Sequence, residues 1–205
     1  MLPNLKTIHK PATEAEALTL LAQKGHFPLY GGAALQRHPR PDVEAAVDLS
    51  RLGLDRAAEH GDALRLGSMM TLERVWQACV ERSKAHPLLG GLARALAEDM
   101  PETLRNTFTL GDLLVERDPQ SVTLTLLLAL DARIAVAGAD APLSLTEWLA
   151  SGDAAWHALV RHVGVSRGPA RAAVAFQKVA RTPADAPIVG AVAVAWAYGK
   201  ARHTG

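Results

Sequence analysis

Two glycine-bearing segments are the places where this chain could hold a ligand by its backbone. The first is Tyr30-Gly31-Gly32-Ala33-Ala34-Leu35, directly after the run Phe27-Pro28-Leu29. The second is Thr109-Leu110-Gly111-Asp112-Leu113. A Gly-Gly turn after a strand turns successive amide N–H groups outward, which makes a concave site for an anion. Read alone, Gly31-Gly32 is more readily an ordinary turn than an anion site. Two such bends, about 80 residues apart in different lobes, give a ligand close backbone approach from both sides. Asp112 is the discordant residue, because it sets a carboxylate where a phosphate would sit. Two unit charges ~5 Å apart repel by about 3 kcal/mol at an effective dielectric of ~20. The competing reading of Asp112 is a cap for its own turn.

Other chemistry finds less support. The eight histidines form no H-x-H or H-E-x-x-H pattern, so no metal site is assigned. The single cysteine, Cys79, lies in the apolar context VWQACV and reads as a buried, inert thiol. No G-x-S-x-G, Walker A or G-x-G-x-x-G motif is present. No catalytic residue is therefore assigned. A net charge of +1 gives no broad attraction to nucleic acid or to a membrane surface. The start of the chain lacks a signal-peptide pattern, and the longest apolar stretch is broken by Asp131 and Arg133. The expectation is a cytoplasmic protein without a membrane span.

The elements that must position the two segments follow from periodicity. LKTIHK reads as a strand and PATEAEALTLLAQKG as a helix capped by Thr13, with Glu16 completing a capping box. FPLYGG and EAAVDLS read as strands, which gives a compact β-α-β lobe over 1–54. A second lobe over 55–165 carries the strand LRLGSMM, a helix from Thr71, and a helix in PLLGGLARALAED. Inside that helix Gly90-Gly91 marks a tight crossing or a break. Asp118 as N-cap and Pro119 at the first helical position predict the next helix start. ARIAVAG follows as a strand and SLTEWLASG as a helix capped by Ser144. Residues 166–205 are β-rich, and the apolar run from Ile188 to Ala195 predicts a central strand covered on both faces. The fold class is α+β with two lobes.

Six stretches in register carry a resemblance that no single motif would. They are YGGAAL (30–35), AVDLSRLGL (46–54), LRLGSMMTLERV (64–75), LRNTFTLGDLL (104–114), DPQSVTLTLLLALDARIAV (118–136) and AFQKVARTPADAPIVGAVAV (175–194). In order and spacing the chain resembles the FAD-binding medium subunit, or domain, of the molybdenum hydroxylases, the xanthine dehydrogenase and carbon monoxide dehydrogenase family. The resemblance implies a two-lobed FAD-binding fold of the PCMH type, here with a shortened C-terminal domain. It implies FAD extended between the lobes. Gly31, Gly32, Ala33, Ala34 and Leu35 would wrap the pyrophosphate, Thr109, Gly111 and Asp112 would close from the other lobe, and Lys178 would approach the flavin. It further implies an FAD-dependent oxidoreductase subunit that passes electrons to an acceptor, with a molybdenum-cofactor subunit and a 2Fe-2S subunit as partners. A homodimer is the other way to cover the strand-rich end.

The departures gather at the ligand. Ala33 and Ala34 lack the polar side chains usual after Gly-Gly in that family. The family's Thr-Ile-Gly-Gly-Asn is here Thr109-Leu110-Gly111-Asp112-Leu113. Its later aspartate aligns with Val122, and Thr182 stands where a second arginine follows Arg181. Two readings stay open: a flavin electron-transfer subunit, or a non-catalytic relative that has lost FAD and acts as a scaffold or interaction protein.

Overall fold

The computed structural model describes residues 2–181 and 187–196, so Thr182 and the basic tail lie outside the described residues. The chain opens with β1 (Thr7–His9), α1 (Glu14–Leu21), β2 (His26–Leu29), α2 (Ala33–Arg37) and β3 (Ala45–Asp48). The three strands form a parallel sheet in the order β1-β3-β2. Thr13 accepts from the Glu16 amide and starts α1. The Glu16 carboxylate, however, accepts from Ala12 N–H rather than from the N-cap, at 2.9 Å. Ala17 is the buried residue of α1.

A five-stranded antiparallel sheet follows. It contains β4 (Ala57–His60), β5 (Ala63–Gly67), β6 (Arg133–Val136), β7 (Leu143–Ser144) and β8 (Val160–Ser166), in the order β4-β5-β8-β6-β7. Between β5 and β6 run the helices α3 (Leu72–Arg82), α4 (Pro87–Asp99), α5 (Glu102–Arg105), α6 (Leu110–Glu116) and α7 (Val122–Ala129). A further helix, α8 (Leu145–Ala150), precedes β8. Leu64, Leu66, Val163 and Val165 point from the sheet into a core shared with Leu89, Leu92 and Leu96 of α4. Gly91 is a crossing point, since a Cβ there would lie 2.6 Å from the Val174 side chain.

Two further predictions fail here for identifiable reasons. The helix expected from Pro119 begins three residues later, at Val122 with Ser121 as N-cap. Asp118 instead accepts from Gln120 N–H in a local turn. The true start is fixed from a distance by Asp99, whose carboxylate accepts from Val122 N–H at 2.8 Å, Thr123 N–H at 2.7 Å and the Ser121 hydroxyl at 2.7 Å. The second failure concerns the last strand. β9 (Ala172–Val179) and β10 (Val189–Trp196) form a two-stranded antiparallel hairpin, not a central strand covered on both faces. Phe176, Val192, Val194 and Val174 face the helices α4 and α7. Ala173, Ala175, Ala191, Ala193 and Ala195 face outward and are exposed or nearly so. Because both phases of the alternation are apolar, periodicity could not tell the packed face from the bare one. Among the described residues no helix is long and apolar enough to cross a membrane.

Candidate functional site

The first glycine segment leaves β2 at Leu29 and turns sharply into α2. Gly32 takes φ 85°, a left-handed conformation that suits glycine, and serves as the N-cap of α2. Ala33, Ala34 and Leu35 form the buried first turn of that helix. The second segment, expected as a glycine bend like the first, is instead the start of a helix. Thr109 is the N-cap of α6 and Asp112 its third residue, so Gly111 sits inside the first turn of a helix. The Thr-x-x-Asp spacing explains this. Thr109 Oγ1 accepts from Asp112 N–H, while the Asp112 carboxylate accepts from Thr109 N–H, the reciprocal pair of a capping box.

Asp112 does more than cap. Its Oδ2 accepts from Gly31 N–H at 2.9 Å, from Thr109 N–H at 3.1 Å and from the Thr109 hydroxyl at 2.8 Å. Its Oδ1 accepts from Ala34 N–H at 3.1 Å. The side chain is thus bonded to both lobes, and the residue is only 2% exposed. Gly31 is bare because the carboxylate needs the room: a Cβ there would lie 2.5 Å from Asp112 Oδ2. Gly111 is bare for a neighbouring reason, since its Cβ would lie 2.1 Å from the Tyr30 ring. That ring is fixed at its far end, where the Tyr30 hydroxyl donates to Ala158 O at 2.8 Å and accepts from Val160 N–H at 2.9 Å. Burial pushes the Tyr30 phenol well above its ordinary pKa.

The remaining amides of the second segment are also engaged. Leu110 N–H donates to Met70 O, Gly111 N–H to Ser68 O and Leu113 N–H to Thr109 O. Around this point the lobes are clasped by further pairs. Glu116, its side chain nearly buried, meets Arg37 at 2.9 Å, and Arg40 meets Asp153 at 2.6 Å. Arg161 of β8 bonds to Glu14 of α1.

The structure therefore brings Gly31, Ala34, Thr109, Gly111 and Asp112 together, with Gly32, Ala33 and Leu35 in the adjoining helix start. It does not bring Lys178 to them. Lys178, on β9, holds the end of α4 through Glu98 O at 3.2 Å and the Glu98 carboxylate at 3.3 Å. Two residues of the site were missed in the sequence. Tyr30 stood inside the quoted YGGAAL motif, but nothing local says that its ring covers Gly111. Ser68 contributes a backbone oxygen, which no side-chain pattern can reveal. Cys79 is fully buried, and burial pushes its thiol up to about 12. Two surface clefts are lined by other residues. One of about 520 Å³ is lined by Trp76, Pro87, Gly90 and Arg94, and one of about 510 Å³ by Glu116, Pro119, Leu128 and Leu149.

Residues 4–155 match the family described as the FAD binding domain in molybdopterin dehydrogenase. The uncharacterized protein YgfM of Escherichia coli K12 is 34% identical over 121 residues. That match covers 58% of this chain and 44% of YgfM, so the chain spans less than half of that relative. Among solved structures, reconstituted CO dehydrogenase from Oligotropha carboxidovorans superposes with a TM-score of 0.81 at 21% identity, covering 97% of this chain and 72% of that one. Quinoline 2-oxidoreductase from Pseudomonas putida 86 gives 0.77 at 22% identity, covering 94% and 68%. These likenesses establish the two-lobed fold.

FAD is the cofactor of this family, and its pyrophosphate needs open amide donors and no fixed negative charge beside them. In this chain Gly31 N–H and Ala34 N–H already serve the Asp112 carboxylate, and every amide from Thr109 to Leu113 has an acceptor. Among the described residues Gly32, Ala33 and Leu35 N–H have no acceptor, so the misfit to a pyrophosphate lies at Gly31 and Ala34, where the Asp112 carboxylate already sits.

Proposed function

Because the chain belongs to the family of FAD-binding domains of molybdopterin dehydrogenases, we propose that it works as the medium-type component of a molybdenum-hydroxylase assembly in the cytoplasm. Its partners are a subunit with the molybdenum cofactor and a subunit with 2Fe-2S clusters. Within that assembly it acts as a scaffold and interaction module rather than as a tight flavin carrier. The observation that carries this reading is Asp112, whose carboxylate bonds to the amides of both lobes at the point where a dinucleotide would be gripped.

The second reading is an electron-transfer subunit that uses FAD to pass electrons from iron–sulfur clusters to an acceptor. Family membership over 4–155 favours it, and in it FAD is held beside, or in place of, the Asp112 carboxylate at Gly31 and Ala34. Affinity purification of the tagged chain from its natural host separates the two. The expected preparation contains molybdenum and iron in fixed ratio to this chain, and flavin far below one per chain. Stoichiometric flavin in that preparation would support the electron-transfer reading. A chain that carries neither metal nor partner, and runs as a monomer or a homodimer, would refute the proposed assembly.

A further inference from the structure

We infer that Asp112 is this chain's built-in substitute for a ligand phosphate: a carboxylate supplied by α6 that takes the Gly31 and Ala34 amides at the turn into α2 and closes that part of the crevice to dinucleotides. The inference rests on the family reading, since that reading says what the cradle belongs to.

A capping box alone would not place the carboxylate this way. Capping requires only Thr109 N–H, which Oδ2 receives at 3.1 Å. The same oxygen also takes Gly31 N–H from the other lobe at 2.9 Å, and Oδ1 takes Ala34 N–H at 3.1 Å. Three main-chain donors and one hydroxyl thus converge on one buried charge. Such charge-assisted bonds are the strong ones, and a buried carboxylate that lost them would be left with its full desolvation cost. A phosphate reaching for the Gly31 and Ala34 amides would have to remove the carboxylate from four donors while being repelled by it. Thr109 adds a second lock, because its Oγ1 accepts from Gly31 N–H at 3.2 Å as well as bonding to Asp112. Gly31 has its usual explanation inverted. In a ligand cradle the missing Cβ makes way for the ligand; here it makes way for Asp112 Oδ2. The chain consequently needs no nucleotide to hold its lobes together.

The test compares the isolated wild-type chain with Asp112→Gly, Asp112→Asn and Glu116→Gln, each with excess FAD or ADP. The readouts are thermal melting by circular dichroism and nucleotide binding by calorimetry. Wild type should melt at the same temperature with and without either nucleotide. Asp112→Gly should melt about 5–10 °C lower, with its orphaned donors in the cradle. Excess FAD or ADP should restore at least about 5 °C of that loss, with affinity at least about a hundredfold above wild type. Glu116→Gln loosens the same lobes without freeing the cradle, so it should melt lower and stay indifferent to nucleotide. If Asp112→Gly does not fold, Asp112→Asn carries the test. It keeps the size, removes the charge, and should melt lower than wild type while gaining an ADP response.

The inference is overturned if wild type responds to FAD or ADP as strongly as Asp112→Gly. It is overturned equally if the Asp112 variants fold and ignore both nucleotides, since the Tyr30 ring and not the carboxylate would then be closing the crevice. All of this is read on the isolated chain. A failure to co-purify with metal-bearing partners would therefore sink the assembly proposal and leave this one standing.

Discussion

Asp99 and Asp112 do the same electrostatic work in two places. Each places its carboxylate against the start of a short helix, and each gathers donors that the helix cannot satisfy itself. Asp99, at the end of α4, takes Val122 N–H, Thr123 N–H and the Ser121 hydroxyl. Both helices it joins belong to the second lobe, so the contact is a packing joint with nothing beyond it. Asp112 sits in the first turn of its own helix and spends its second oxygen on the other lobe, at Ala34 N–H. The chemistry is one; the consequence is set by where the donated amides lie. Amides inside a lobe make a carboxylate a cap, and amides at a crevice make it an occupant.

Three substitutions would break or sharpen that contrast. The largest effect is expected from Gly111→Ala, beside Asp112. Its new Cβ would press on a Tyr30 ring that is anchored through its hydroxyl at both Ala158 and Val160 and cannot step aside. A loss of about 3 kcal/mol is expected, at the upper end for overpacking, measured by urea unfolding. A loss below about 1 kcal/mol would mean that the ring is free to move, and that the crevice is less firmly closed than Asp112 makes it.

Asp99→Ala comes next. It strands two helix amides and a hydroxyl, and should cost about 2–3 kcal/mol. Unlike the Asp112 variants, it should show no response to FAD or ADP. Any nucleotide-dependent rise in its melting temperature would erase the distinction between cap and occupant.

The contrast also marks how far the sequence could be read. Elements set by local signals were legible: Thr71 and Ser144 cap α3 and α8, and the three parallel strands of the first lobe follow their apolar runs. The family was legible too, because six short stretches kept their order. What escaped was fixed by residues distant in the chain. Asp118-Pro119 carries strong local start signals, yet Asp99, from the end of the preceding long helix, moved the start to Val122. At the site, the clash between a carboxylate and a phosphate could be read from Asp112 alone. That the carboxylate would satisfy Gly31 and Ala34 instead could not, since the partners lie 81 and 78 residues away.

The smallest effect concerns a clasp between the same two lobes that is not buried. Glu14 at the start of α1 takes two hydrogen bonds from Arg161 of β8, with side chains 35% and 40% exposed. The hydrogen bond from Arg161 holds the Glu14 carboxyl below the usual carboxylate range, partial burial opposes that shift, and the guanidinium charge adds to it. A lowered folded-state pKa means that the pair stabilises the fold above the ordinary Glu value, and that this contribution is lost as pH falls through the lowered value. Solvent screening keeps it below about 1 kcal/mol. Glu14→Gln should therefore be slightly less stable than wild type at neutral pH, and the two should converge as the pH drops beneath about 4. A gap that stays constant with pH would assign the contact to packing rather than charge. Either way this exposed pair should leave nucleotide binding untouched, because closing the lobes at their rim is a different act from filling the cradle between them.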